Sequence, residues 1–583
     1  MNRNHATKHD SGKILVLAAI LMPVLMGIAA IIFDGGKMVV DRRDMQHVAD
    51  SAALAAGMEI RSEKSVEEVI LAAREFAVDY AGYADNEVEV NVPPTEGAYS
   101  GSNNHVEVVI RRNYAPLIMV QLDGITSWPI EVRAVAGVEP VTEGAVMVAL
   151  DPHPDTREVP VLGAMLNDID AVETITDSLQ QVNVVGTVGS IPIVGNLFTS
   201  LLVSLTTEDA PTELEGLIDY ALATFPGFAA PAIIGGVEVE GFGVLIVDGA
   251  IHVNTEWGGK DENGDPAGMS AGPPYGVATM PLLATSFIQA EDIRVVGGVD
   301  HPERFSAMNP TDPFPLQANR LPVPDPFASL PTPAESIDED NVSTTIANPT
   351  DLVRVALLPA FAEDIVDQAL ALIPAALRSL LDPVLEPVVE LLSTDNIEPG
   401  VYHSITLIDL WGGIRLQPGI YILRGATNDV PRPLTILGPV QANGVMFYIT
   451  NSPAFAAETG SPDVADDPAA LPDTDIQDLL PSAVILPLLP NANISGLNDS
   501  GSPFDGFLLF QRRTDRRPIV MEICQNRVRG TIYAKWSNLL LLGCGGTNDM
   551  RLVAGTLRFV LREDTRLTPQ TRLPPARDVL LLE

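Results

Sequence analysis

Cysteine is almost missing from this chain: only Cys524 and Cys544 occur in 583 residues. Two are too few for a structural zinc site, which takes four Cys or His ligands. The eight histidines are scattered without ligand spacing. If the chain is exported, the two cysteines can pair; in a reducing compartment they stay buried thiols. Basic residues are also scarce, with 35 Lys+Arg against 76 Asp+Glu and a formal charge of -41. A polyanion gains nothing from counterion release, so without a basic patch, and none is found, nucleic acid is excluded as a partner. No Walker A loop and no His-Glu-x-x-His occurs. Nothing in the composition asks for a cofactor.

What is abundant points elsewhere. Gly 46 and Pro 48 with little Lys describe a turn-rich β protein rather than a helical enzyme. The length exceeds one ordinary core and implies at least two domains. One long apolar run is present. From Ile14 to Phe33 no residue is charged, and a helix of about twenty residues rises ~30 Å, the thickness of a bilayer's hydrocarbon core. It is longer than a signal-peptide h-region, and Ile31-Ile-Phe-Asp-Gly-Gly36 offers no small-x-small cleavage site; the nearest, Gly27-Ile-Ala29, lies inside the run. An anchor is expected, spanning 14–33. Beyond it Met45, Val48, Ala49, Ala52, Ala55 and Ala56 recur at helical spacing and make a small-residue face, after an expected break at Asp34-Gly35-Gly36. Arg3, Lys8 and Lys13 balance Lys37, Arg42 and Arg43, so charge does not orient the span.

The stretch Gly12–Met58, with a Gly before the apolar run, Pro23 in its first half, Asp34-Gly35 after it and Gln46-x-x-Ala-Asp-x-Ala-Ala-Leu-Ala-Ala56, resembles the N-terminal segment of TadG-like proteins of the tight-adherence (Flp) pilus assembly system. The resemblance implies a single-pass protein of the cytoplasmic (inner) membrane, N-terminus inside and bulk outside, whose partners are pilus assembly proteins or other stem helices. A pilin-type leader would place Glu where Leu17 stands, which removes support for prepilin-style processing.

Along the chain, 1–11 is read as a cytoplasmic N-terminus and 12–61 as span and stem. Residues 62–138 are read as a small α+β domain. Ser65 and Glu68 form a capping box, Val66 to Tyr80 an amphipathic helix, and Glu87–Val92, His105–Arg111 and Pro129–Val135 alternate as strands. A short apolar helix is expected near Ala115–Leu122, and a boundary at Glu139-Pro140. Residues 139–334 are a first β-rich part with a helical insertion near 161–228, within which contact of 178–207 with a membrane stays open. Residues 335–396 are a Pro-interrupted helical insertion running from Leu352 to Leu392. Residues 397–583 are β-helix-like coils.

Internal repetition carries that last assignment. Glu398-Pro-Gly-Val-Tyr402 recurs as Gln417-Pro-Gly-Ile-Tyr421, and Gly444, Gly506, Gly530 and Gly555 each precede a short apolar strand. Repeats of roughly 20–25 residues with turn glycines suit a solenoid. Val247–Asn254 and Ile293–Gly298 are read as opening coils, and Pro324–Pro333 as an extended connector. Val295-Val-Gly-Gly298, Asp325-Pro-Phe-Ala-Ser-Leu-Pro331, Gly444-Val-Met-Phe-Tyr448 and Gly530-Thr-Ile-Tyr-Ala534 also resemble the long C-terminal region of some TadG-like proteins of bacteria such as planctomycetes. The fold class is therefore a transmembrane helix continuing into a stem, a small pilin-like α+β domain, and a large mostly-β region, solenoid-like with helical insertions.

Four patterns invite chemistry, and each has a plainer reading. Gly268-Met-Ser270-Ala-Gly272 matches a nucleophile elbow, but a polar turn precedes it and Pro273-Pro274 stands where helix should begin. Asp261, Asn263 and Asp265 alternate as in a calcium loop, but Pro266 occupies the Gly position and no acid follows where Ala271-Gly272 fall. Asp338-Glu-Asp340 is weaker still. Asp151-Pro-His-Pro-Asp155 ends a strand where some TadG-like proteins carry Asp-x-Ser-x-Ser, and both serines are missing. No catalytic, cofactor or metal residue is assigned and no enzyme is expected; Cys524 and Cys544, about one coil apart, are the one pair singled out. The function read from the sequence is a membrane-anchored structural component of a Flp pilus system. The alternative is an anchored β-helix that binds or degrades polysaccharide.

Overall fold

The computed structural model describes residues 10–119, 126–154, 233–279, 286–333, 351–356, 396–409, 412–425, 433–467, 470, 481–487 and 491–582. They fall into two compact units, Met1–Val141 with Arg577–Glu583, and Thr142–Ala576. The expected insertion near 161–228, Asp338–Asp340 and most of 335–396 lie outside the described residues.

In the first unit a single helix, α1, runs Asp10–Arg61. The expected break at Asp34-Gly35-Gly36 is absent. Asp34 does not compete with its own helix, because its carboxylate is engaged by backbone amides of residues 117–119. Ser65 caps α2 (Val66–Arg74), with Glu68 reaching back to the Ser65 amide, as the capping box requires. The last turn opens into a π-helical stretch, Glu75–Tyr80. That extra residue per turn rotates the helix face: Val69, Ala73 and Ala77 are buried while Tyr80 is exposed. Strands β1 (Val88–Asn91), β2 (His105–Tyr114) and β3 (Trp128–Ala149) pair antiparallel in chain order, Val88 facing Ile110 and Ile110 facing Val132. The C-terminal residues return here, unforeseen: Arg577 O accepts from Arg61 Nε, and Leu582 N–H donates to Val135 O. Gly57 sits where any Cβ would meet the Val579 side chain.

The small-residue face of the stem is spent inside this unit. Met45, Ala49, Ala52, Ala53 and Ala56 pack against Val69, Ala73 and Ala77 and against Val106, Val108, Ile110, Val132, Ala134 and Ala136. Alanines let the helix lie close on the sheet. The face expected to meet other stems is therefore occupied.

The second unit grows by parallel ladders. One passes through Asp351–Ala356, Ser404–Asp409, Leu434–Leu437, Ala483–Leu486, Ile519–Ile523, 539–543, 557–561, Gly235–Gly241 and Tyr275–Ala278. Another passes through Gly400–Tyr402, Gly419–Leu423, Val445–Ile449, Phe507–Gln511, 531–533, 551–554, 147–149, 251–253, 293–295 and Leu316–Gln317. Because register is in step, like residues stack in columns. Tyr421, Phe447, Leu509, Ile532, Leu552, Met147, Ile251, Ile293 and Leu316 form one continuous buried column.

Two expectations change here. Residues 139–334 and 397–583 were read as separate parts with the former opening the coils. Instead, the strands of 145–317 stack onto the C-terminal strand Met550–Leu561, Met147 beside Leu552 and Val237 beside Leu557, and share its ladders. Second, Asp351–Ala356 is a strand rather than the start of a helical insertion, since its six residues pair in register with Ser404–Asp409. Its backbone groups find ladder partners there, which outweighs local helical patterning.

The Pro-rich connector is tied down over outward-facing side chains. Asn254 exchanges two hydrogen bonds with Val323, Tyr533 Oη donates to Asp325, and Arg513 donates to the carbonyls of Phe327 and Leu330. Phe327 packs edge-on against Phe507 and Tyr533. The repeated Pro-Gly turns close in one way: Tyr402 Oη donates to Glu398 O and Tyr421 Oη to Gln417 O. The tyrosine two residues into each strand staples its own preceding turn.

Candidate functional site

The sequence-singled residues land as follows. Ser270 is exposed, its hydroxyl donating to Gly272 O, and the strand before it is only the two-residue Pro266–Ala267 of a hairpin. No strand-to-helix elbow forms. Asp261 accepts the amides of Asn263 and Asp265 and so closes its own turn. Asp151 accepts the His153 amide at a strand end.

Cys524 and Cys544 follow paired strand ends, Ile523 beside Gly543, which sets their Cα atoms 5.1 Å apart with the sulfurs in bonding contact. Sequence reasoning missed the third member of this cluster. Glu522 Oε1 lies 3.0 Å from Cys524 Sγ and 3.9 Å from Cys544 Sγ. The three groups cluster within 4.8 Å, but sulfurs bonded to each other are no thiolate ligands, so the trio offers a metal only the carboxylate. Arg527 lies 3.4 Å from the same Glu522 oxygen and balances its charge.

A cleft of the second unit, about 600 Å³, is lined by Asp248, Glu291, Met308, Asn309, Arg566, Thr568, Pro569 and Arg572. Two Arg–carboxylate forks frame it. Arg566 grips Asp248 with Nη2 at 2.7 Å, and Thr568 Oγ1 donates to the same carboxylate at 2.6 Å. Arg572 holds Glu291 through two 2.7 Å bonds. Asp248 stands within the strand Val244–Val253 where its register shifts against its neighbour between Val247 and Ala250. Burial pushes the Asp248 carboxyl up, but the hydrogen bonds from Arg566 and Thr568 and the guanidinium charge outweigh it and hold it below the usual range. Asp248 is thus an anion near neutrality and no proton donor. A bound polar ligand is within the cleft's chemistry; acid catalysis of glycosidic cleavage, which needs a carboxyl of raised pKa, gets nothing from this group.

Carboxyls with raised pKa exist, but they are buried. Burial pushes Glu240 up to about 7, against the nearby Arg558 and helped by Glu238. Glu238 is raised for the same reason. Asp463 is lifted by burial to about 6 although Tyr448 donates to it and Arg512 lies beside it. All three are nearly inaccessible. They can tune stability; substrate does not reach them.

The remaining candidate is the helix itself. Among the described residues one helix is long and apolar enough to cross a membrane. Leu15, Leu17, Ile20, Leu25, Ile31 and Phe33 are all exposed, Leu15 by 73%. Water does not tolerate such a cylinder; lipid or another apolar helix does.

Residues 12–59 match the family model described as "Putative Flp pilus-assembly TadE/G-like". That match covers the stretch whose resemblance to TadG-like proteins rested on Gly12–Met58. Comparison with curated proteins and with solved structures gives no match.

Proposed function

We propose that this chain is a single-pass protein of the cytoplasmic membrane, N-terminus inside, that serves a Flp pilus assembly system as a structural component. It would display outside the cell a β-solenoid built from the ladders of residues 142–576. The observation that carries this reading is an apolar helix, its large side chains exposed from Leu15 to Phe33, inside the segment that matches the Tad family. Because Ala49, Ala52 and Ala56 are buried in their own unit, contact with pilus assembly proteins falls to the span itself. The protein works without catalysis, and in an exported domain Cys524 and Cys544 form a disulfide. Fractionation after deleting Gly12–Gly36 tests the anchor: the variant leaves the membrane, and retention there would sink the reading. Co-purification from detergent-solubilised membranes tests the system, with Flp assembly proteins expected in the eluate. Mass analysis of the intact chain before and after reduction tests the bridge, a gain of two hydrogens being expected.

A second reading keeps the anchor and gives the solenoid a polysaccharide to bind. The cleft between the Asp248–Arg566 and Glu291–Arg572 forks favours it, since paired planar ions present directional donors and acceptors to hydroxyl-rich ligands. Glycan arrays with wild type and Arg566→Ala decide it. Binding that the variant loses supports it, and no binding by wild type removes it.

A further inference from the structure

The span ends at Phe33, and the next residue, Asp34, is fully buried. Its carboxylate accepts three consecutive backbone amides, Leu117 at 2.8 Å, Ile118 at 2.9 Å and Met119 at 2.8 Å, with Tyr114 Oη at 3.5 Å. A charged acceptor taking three amides from one short segment is a strong clip. It fixes the Ala115-Pro-Leu-Ile-Met119 segment at the level of the first residue beyond the apolar run. Leu117, in the middle of that segment, is 68% exposed. An exposed leucine alone needs no explanation. Its neighbours do suggest one: Tyr114 stacks on Trp128 with centroids 6.4 Å apart, and Lys37 Nζ stands 5.5 Å over the Tyr114 ring. Tyr, Trp and a Lys one turn past an apolar span make up the composition of a membrane–water boundary, where rings sit at headgroup level and lysine amines reach for water.

We propose that Leu117–Met119 is a second, shallow membrane contact, clipped by Asp34 to the end of the span and laying Leu117 into the headgroup–acyl boundary. The bilayer is favoured as occupant over a protein because the segment is continuous with the span and is held at its edge. This inference rests on the reading that 14–33 crosses the membrane.

The test uses the full chain in vesicles of phosphatidylethanolamine and phosphatidylglycerol. An environment-sensitive fluorescent amino acid replaces Leu117, Leu25 in the span, or Leu71, which is 63% exposed on α2. The probe at 117 is expected to emit to the blue of that at 71, and to lose most of its intensity to lipids spin-labelled near the headgroup. The probe at 25 loses intensity to lipids labelled deep in the acyl chain, and the probe at 71 responds only to iodide in water. Iodide quenching at 117 equal to that at 71 would overturn the proposal. So would shielding of 117 from both quenchers, which would mean a protein contact. If the probe at 25 also answers to iodide, the span reading itself has failed. With Asp34→Ala the signal at 117 should move to the aqueous value while that at 25 stays; an unmoved signal at 117 removes Asp34 from the account.

Discussion

In the stem-bearing unit the core is floored by alanines, and its two buried carboxylates are met, Asp34 by three backbone amides and Glu107 by Arg133, Asn91 and Thr95. In the ladder unit the core is columns of large side chains, and Glu238 and Glu240 share the single guanidinium of Arg558. The first is a helix pressed flat on an antiparallel sheet, where closeness matters and volume does not. The second stacks strands in register along parallel ladders, where each step of a column must be filled by its own strand's residue. One arrangement satisfies its buried charge completely and the other leaves carboxylate oxygens without hydrogen bonds. The two units should therefore fail under opposite insults.

The largest effect is expected from emptying a column. Phe447 is fully buried between Tyr421 and Leu509, so Phe447→Ala should cost about 3–5 kcal/mol, cavity included. Hydrogen exchange resolved by segment should show protection lost through 419–423 and 445–449 and kept in 105–114 and 128–136. Equal loss in both units would dissolve the contrast. Next comes acid. Burial lifts Glu107, but Arg133, Thr95 and Asn91 outweigh it and hold its carboxyl at about 2. A depressed carboxyl gives stability that is present above its unfolded value near 4.5 and is lost as pH falls toward 2. The full amount is about 3 kcal/mol. The exchange protection of β2 should fall over that window, and Glu107→Gln should flatten the fall while lowering protection at pH 7.

A milder effect sharpens the other half of the contrast. Ala52 has no accessible surface on the stem's inner face, so Ala52→Leu should destabilise the first unit by roughly 1–3 kcal/mol through overpacking. The midpoint of chaotrope unfolding for the first unit should drop while the ladder unit keeps its own.

How much of this was legible depended on whether the signal was local. The span, the capping box of Ser65 and Glu68, and the alternation of Val88–Asn91 and His105–Tyr114 are written in adjacent residues, and the structure contains them. The Pro-Gly-x-Tyr repeat announced stacked strands because each copy carries its own turn and staple. The order of the stack was not legible. Nothing within 145–317 states that Met147 will lie beside Leu552, since the register is fixed by columns that meet only after the chain has wound through four hundred residues. Asp34 was read as a helix breaker for a similar reason: its three amide donors come from Leu117 to Met119, far along the chain. Among the cleft residues, Asp248 and Arg566 carried no motif, and only the shared ladder brings them together.

The smallest effect tests the unsatisfied side of the comparison. Arg558 lies within ion-pair reach of Glu238 and Glu240 together, and all three are almost inaccessible. One cation cannot neutralise two carboxylates, and burial pushes Glu240 up to about 7. A carboxyl raised above its unfolded value binds a proton in the folded state that the unfolded chain has already released. The folded state therefore loses stability as pH rises through 7, the reverse of Glu107. From pH 6 to pH 8 the loss assigned to Glu240 is about 1 kcal/mol. His252, which burial and Arg294 hold down near 4, acts in the opposite direction as pH falls below its unfolded value of about 6.5, and its contribution is common to wild type and variant and cancels in their difference. Glu240→Gln keeps an oxygen for Arg558 and removes the proton. Its stability in the ladder unit, relative to wild type, should rise by about that 1 kcal/mol between pH 6 and pH 8, read from denaturant midpoints at each pH. A difference that does not change with pH would show that Arg558 neutralises both glutamates after all, and the two units would then bury charge by the same rule.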